Sequence, residues 1–173
     1  MLRDFREVYK NKHTRNIAII EVLVNTGIRV GELVSLTLED VSISPRKGHL
    51  TVREGKGESF REVPLNKDVR KAISAYLKER SVSKSNKIFL GQRGPLKETA
   101  IWRIVKKYAE RAGVNASPHK LRHTFATRLL RDHDTDIVTV SKLLGHANVN
   151  STAIYTQLSQ KDMERAVDRL SND

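Results

Sequence analysis

Apolar positions along the chain recur at two periods, and the switches between them lay out the elements. From Thr14 onward Ile17, Ile19, Ile20, Leu23 and Val24 are interrupted only by Glu21. A helix apolar nearly all round is a buried one, with Thr14 as its cap and Gly27 as its stop. Val30, Leu33, Val34 and Leu36 follow at helical spacing and predict a shorter helix that starts near Arg29 and packs on the first. Period two then takes over. Leu50 and Val52 alternate with polar neighbours, and Phe60-Arg-Glu-Val-Pro-Leu supplies the return strand of a hairpin. At its tip, Glu54-Gly-Lys-Gly-Glu sets Lys56 between two glycines, which permit positive φ and close approach of the backbone to a ligand.

Helical spacing returns at Asn66, a cap for Val69, Ala72, Ile73, Tyr76 and Leu77. A polar link, Ser81 to Lys87, leads to the short apolar run Ile88-Phe-Leu and the turn Gly91-Gln-Arg-Gly-Pro. The next amphipathic helix bears Ile101, Ile104, Val105 and Tyr108 and ends at Gly113; Arg103, Lys106, Lys107 and Arg111 make its other face, either solvated or in contact with phosphates. Ser117-Pro118 is a strong helix start, cap followed by proline, with Leu121, Phe125, Leu129 and Leu130 as the buried stripe. After the polar link Asp132-His-Asp-Thr, a helix with Ile137, Val140, Leu143 and Leu144 stops at Gly145. Asn148 to Ser151 offers a fresh cap before Tyr155, and Ser159-Gln-Lys-Asp162 reads as a capping box for a last helix striped with Met163, Ala166, Val167 and Leu170. The sum is α+β and mostly helical: one domain, residues 1–173, with a small antiparallel sheet on a helical core.

Charge narrows the partners. Lys and Arg number 32 against 20 Asp and Glu, a formal net charge of +12, and a surplus of that size favours a polyanion through steering and counterion release. Aromatic residues are only 5%, which argues against base stacking as the mode of nucleic-acid binding. The absence of cysteine excludes disulfides and cysteine-ligated zinc and suits a reducing compartment. The longest apolar run, Ile17 to Val24, is too short to span a bilayer, and the charged start Met1-Leu-Arg-Asp-Phe-Arg-Glu is unlike a signal peptide. The expectation is a cytoplasmic protein.

The densest chemistry lies between Ser117 and Tyr155, with His119, Arg122, His123, His146 and Tyr155. His119 and Arg122 share a face at a helix start, where backbone N–H groups favour an anion. His119 and His123 are spaced to chelate zinc, but Lys120 and Arg122 lie between them and no carboxylate follows, so a metal is not expected. A phosphodiester attacked by oxygen accumulates negative charge, and an arginine neutralises it with two parallel bonds and never deprotonates. A tyrosine with a pKa near ~10 needs a cationic setting to attack, and the leaving alkoxide needs a proton that a hairpin lysine can supply.

Four stretches in order resemble the signature boxes of the tyrosine recombinases, the phage-integrase family and its Xer-like site-specific members. They are Thr26-Gly-Ile-Arg-Val-Gly-Glu-Leu, Gly55-Lys-Gly with Val63-Pro-Leu, His119-Lys-Leu-Arg-His-Thr-Phe-Ala-Thr127, and Leu143-Leu-Gly-His146 with Ile154-Tyr155-Thr156. The resemblance spans residues 14 to 170 and implies a catalytic domain without the family's usual N-terminal core-binding domain. It implies that Arg29 and Arg122 clamp the scissile phosphate, Lys56 protonates the leaving 5′ oxygen, and His119 assists proton transfer at the nucleophile. His146 would hydrogen-bond the phosphate and Tyr155 would form a 3′-phosphotyrosyl link. Glu32 falls on an acidic position that supports the site, or is a plain surface glutamate; His123 matches a supporting position. The implied partners are double-stranded DNA and further copies of the chain, a tetramer on two sites, with no metal and no ATP. The helix after Tyr155 would dock on a neighbour or on its own domain. Within the same chemistry stand a topoisomerase-like or telomere-resolving enzyme, and outside it a non-catalytic DNA-binding relative.

Overall fold

Helix α1, Thr14–Thr26, runs through the middle of the molecule. Its Ala18, Ile19, Ile20, Val22, Leu23 and Val24 are all buried, because this helix is enclosed by α3 and α5 and touched by α2 and α4. The structure, a computed structural model, describes residues 13–53, 60–131 and 135–145. Even Glu21 is buried, with one carboxylate oxygen accepting from Asn25 Nδ2 at 2.6 Å. Thr14, expected as the cap, is the first helical residue. His13 takes the cap position without a side-chain bond, and the Thr14 hydroxyl instead donates to Glu79 Oε2 at 2.8 Å. Gly27 ends the helix in the left-handed conformation, φ 64°, where an L side chain is strained and a Cβ would also collide with the Phe125 ring.

The chain then turns into α2, Val30–Ser35, and a 3₁₀ turn, Leu38–Asp40. Three antiparallel strands follow in the order β1-β2-β3: Val41–Ile43, Gly48–Arg53 and Phe60–Pro64. The first of these is an addition to the expected hairpin. Pro45-Arg46-Lys47 lies in its turn to β2, closed by Ser44 N–H donating to Lys47 O at 2.8 Å. Leu50 pairs with Val63 and Val52 with Arg61, so Leu50, Val52 and Val63 face the core and Arg61 stands on the same inward face.

Helix α3, Lys67–Glu79, is capped as its sequence predicts, Asn66 Oδ1 accepting from Val69 N–H at 3.0 Å. Its Tyr76 stacks on Phe89, donates to Ile88 O and accepts from Leu90 N–H, both at 3.1 Å, so the run Ile88-Phe-Leu is pinned as it enters the small ribbon β4, Leu90–Gly91, and β5, Gly94–Pro95. Helix α4, Glu98–Arg111, buries Ile101, Val105 and Tyr108 and leaves Arg103, Lys106, Lys107 and Arg111 exposed. Helix α5 is Pro118–Arg131 and α6 is Ile137–Leu144, each starting or stopping where proline and glycine predict. A small second cluster, Ala126, Val140 and Leu144, joins these two. Among the described residues no helix is long and apolar enough to cross a membrane. The cap near Asn148 and the helix with Met163, Ala166, Val167 and Leu170 lie outside the described residues.

Candidate active site

Three arginines converge on the carboxyl end of α6. The last carbonyls of a helix have no partner within it and carry the negative end of its dipole, so guanidinium donors suit them. Arg61 Nε donates to Leu143 O at 3.2 Å, Arg122 to Leu144 O at 2.9 Å and Arg29 to Gly145 O at 3.2 Å. Each comes from a different element: β3, α5, and the turn between α1 and α2.

Arg122 is the most enclosed, with 5% of its surface exposed. Its first turn of α5 faces the gap between α1 and α6, and its other terminal nitrogen donates to Gly27 O at 2.6 Å. The residue thus ties the end of α1 to the end of α6. A buried charge is tolerated only when its donors are met, and here two carbonyls meet them. Along the same helix Leu121 and Ala126 are buried, whereas Phe125, Leu129 and Leu130 of the expected stripe are only half-buried.

Arg29 occupies the cap position of α2 in an extended conformation. Glu32 reaches back to accept from its backbone N–H at 2.6 Å and from its guanidinium at 2.9 Å. Arg29 is 48% exposed and Glu32 only 13%. The Glu32 carboxylate also receives Arg61 as a two-pronged pair, 3.1 Å to Oε1 and 2.9 Å to Oε2. Burial pushes the Glu32 carboxyl up, yet the hydrogen bonds from Arg61 and Arg29 and the Arg61 charge outweigh it and hold the group below its ordinary 4.5. Glu32 is thus largely covered and shared by two arginines, unlike a plain surface glutamate.

His119 and His123 are exposed on α5, and His123 Nδ1 lies 3.5 Å from the Thr127 hydroxyl. His119 shares the first turn of α5 with Arg122 but points to solvent while Arg122 points inward. Among the described residues no group of three His, Cys, Asp or Glu side chains is arranged to hold a metal ion. Lys56, His146 and Tyr155 lie outside the described residues. The structure therefore brings Arg29 and Arg122 onto adjacent carbonyls, Gly145 and Leu144, one residue short of His146 in the chain. The residue that sequence reasoning missed is Arg61. Its signal was the strand alternation, which sets 61 on the buried face beside Val63, where an arginine demands a partner.

A mostly helical body with a small three-stranded antiparallel sheet is the architecture of tyrosine-recombinase catalytic domains. The sequence profile of the phage integrase family matches residues 2–162, and the chain belongs to that family. It is 39% identical over 167 residues to tyrosine recombinase XerA of Pyrococcus furiosus, covering 94% of this chain and 57% of that protein. It is 41% identical over 152 residues to tyrosine recombinase XerD of Corynebacterium glutamicum, covering 84% of this chain and 49% of the relative. Among solved structures, a crystal structure of XerA recombinase superposes with a TM-score of 0.84 at 33% identity, covering 96% of this chain and 61% of that one. The XerH site-specific recombinase bound to its difH substrate in a pre-cleavage complex gives 0.83 at 28% identity, covering 96% of this chain and 51% of that one. The chain thus spans about half the length of the curated relatives it matches.

Proposed function

We propose that residues 1–173 are the catalytic domain of a site-specific DNA recombinase that breaks and rejoins strands through a 3′-phosphotyrosyl intermediate. The observation that carries the reading is the convergence of Arg29 and Arg122, from elements far apart in sequence, on the end of α6 that leads directly to His146. Two guanidinium groups there can neutralise the charge that grows on the non-bridging oxygens of a phosphorane. Tyr155 Oη attacks the phosphorus while its proton passes to His119, and an O–P bond forms. The bond from phosphorus to the 5′ oxygen breaks, and that oxygen takes a proton from Lys56, leaving a 5′-hydroxyl. His146 donates to a non-bridging oxygen. The reverse attack by a 5′-hydroxyl of a second duplex restores the phosphodiester, and because the phosphotyrosyl bond conserves the bond energy no nucleotide is consumed.

The partner is double-stranded DNA, as the net charge of +12 favours, and exchange between two sites calls for a tetramer of the chain. A nicked suicide duplex carrying the recognition site tests the reading. Wild-type protein should leave a covalent protein–DNA adduct on a denaturing gel and Tyr155→Phe should leave none; the lack of an adduct from wild type on its own site would sink it. An adduct without exchange between paired sites would favour the topoisomerase-like alternative.

A further inference from the structure

Arg61 is the one member of the arginine cluster with no part in the proposed chemistry. All three of its guanidinium nitrogens donate: Nε to Leu143 O at 3.2 Å, the terminal pair to both oxygens of Glu32 at 3.1 and 2.9 Å. With Arg61 11% exposed and Glu32 13%, the pair is screened little by water, and its geometry is the fork-to-fork form that gives the strongest ion pairs. The same carboxylate bonds Arg29. One anion therefore lies between two cations, and its proximity would cancel the charge that Arg29 presents to a phosphate if nothing else absorbed it.

We propose that Arg61 is a positioning residue for the phosphate clamp: it takes up the Glu32 carboxylate and ties it, with strand β3, to the end of α6, so that Arg29 keeps both its place and its charge for the DNA phosphate. This rests on the reading of Arg29 as a clamp. Glu32 then acts as a bracket that fixes Arg29 through its backbone N–H and one guanidinium nitrogen. Without Arg61, Glu32 is left among the described residues with Arg29 alone to pair with, the local charge facing the phosphate falls by one, and Leu143 O loses a donor. Lysine could not replace it, since a single ammonium cannot span both carboxylate oxygens and a carbonyl in this plane. Because β3 is the strand that returns from the hairpin bearing Lys56 in the sequence, the same side chain links the sequence neighbourhood of three catalytic candidates.

The test compares wild type, Arg61→Gln, Arg61→Lys and the double variant Glu32→Gln/Arg61→Gln on the nicked duplex. Arg61→Gln should slow adduct formation by about tenfold to a hundredfold while duplex affinity changes little, and the double variant, with the surplus negative charge removed, should regain at least about fivefold of that loss. A merely structural tie would not be rescued by deleting its partner's charge, so a double variant no faster than Arg61→Gln overturns the proposal, as does an Arg61→Gln protein that cleaves like wild type. Should Arg61→Gln fail to fold, the double variant alone decides: folded and cleaving supports charge balance, unfolded or folded and inert assigns Arg61 to stability and overturns it. A readout independent of cleavage separates this from the enzyme reading itself: inorganic phosphate should shift the Arg29 Nε–H resonance of wild type several-fold more readily than that of Arg61→Gln, and equal titrations would overturn the inference even if wild type cleaves DNA.

Discussion

The body around α1 and the end of α6 are held by different forces. In the body, Ile19, Ile20, Leu23, Ile28 and Leu33 are each at most 1% exposed, and fully burying such a side chain contributes ~1.5–3 kcal/mol without regard to direction. At α6 the apolar cluster among the described residues is Ala126, Val140 and Leu144 with half-buried neighbours, and the helix end is secured by guanidinium donors on three successive carbonyls. Bonds from charged donors contribute about 1.5–3 kcal/mol each when buried, but only along their own axes. The lesson is one of exchangeability. Packed methyl groups have no alternative partner, whereas an arginine holding a carbonyl can trade it for a phosphate oxygen. A site made of such ties is held in place by bonds that a phosphate oxygen can take over.

The largest effect expected from breaking that contrast is Arg122→Ala. Loss of a preorganised donor to the phosphate should cut adduct formation by a hundredfold or more, and Leu144 O and Gly27 O would be left buried without it, so the melting temperature should fall as well. Cleavage and thermal melts on one preparation measure both; a drop in duplex affinity as large as the drop in cleavage would make Arg122 a binding residue instead. In the body, Leu23→Ala should destabilise by about 2–5 kcal/mol through its cavity, with adduct formation per folded molecule unchanged below the melt. Activity lost in proportion to more than the unfolded fraction would show that the two regions are coupled, not separate.

The smallest effect is on acid stability. Glu32 and Asp40 both titrate lower in the folded chain than their ordinary 4.5 and 3.8: burial raises each, but bonds from Arg61 and Arg29 outweigh it for Glu32, and bonds from the Thr37 hydroxyl and N–H together with Arg53 outweigh it for Asp40. The unfolded chain therefore binds more protons in this range, so the stability these carboxylates add is fully present above those ordinary values and is lost as pH falls through the lower, folded ones. Melting temperatures from pH 6 down to pH 3 should decline below about 4.5, and Glu32→Gln should flatten part of the decline. An unchanged slope in that variant would mean that Glu32 is not held as its bonds imply.

Much of this was legible in the sequence, and the reasons for the gaps are physical. Stops at Gly27 and Gly145, the Asn66 cap and the Pro118 start are local events, decided by φ or by a bond spanning three residues, and the helices follow from them. Strand β1 was not legible, because Val41-Ser-Ile is too short to show a period and is a strand only through its pairing with residues 48–50. Thr14 looked like a cap because the competing acceptor, Glu79, is 65 residues away. Arg29 and Arg122 could be singled out by motif. That they meet on consecutive carbonyls, with Arg61 on the carbonyl before them and the Glu32 carboxylate between Arg61 and Arg29, depends on long-range folding and could not be read from spacing.

Gly27 bears on which changes of chain length the molecule can absorb. Its carbonyl holds Arg122 at 2.6 Å, and two residues later the same turn delivers Arg29. The spacing of the two arginines is thus set by a dipeptide step, although 95 residues of chain separate Arg122 from Gly27. Insertions in the surface link at Ser81–Lys87, where Arg80 gathers the carbonyls of Ser85 and Lys87 and shares that of Ile88 with Tyr76, would leave that spacing untouched. One residue added between Gly27 and Arg29 would swing Arg29 away from the end of α6 while the rest of the fold stayed whole. Natural variation in length should therefore be free in the first place and barred in the second.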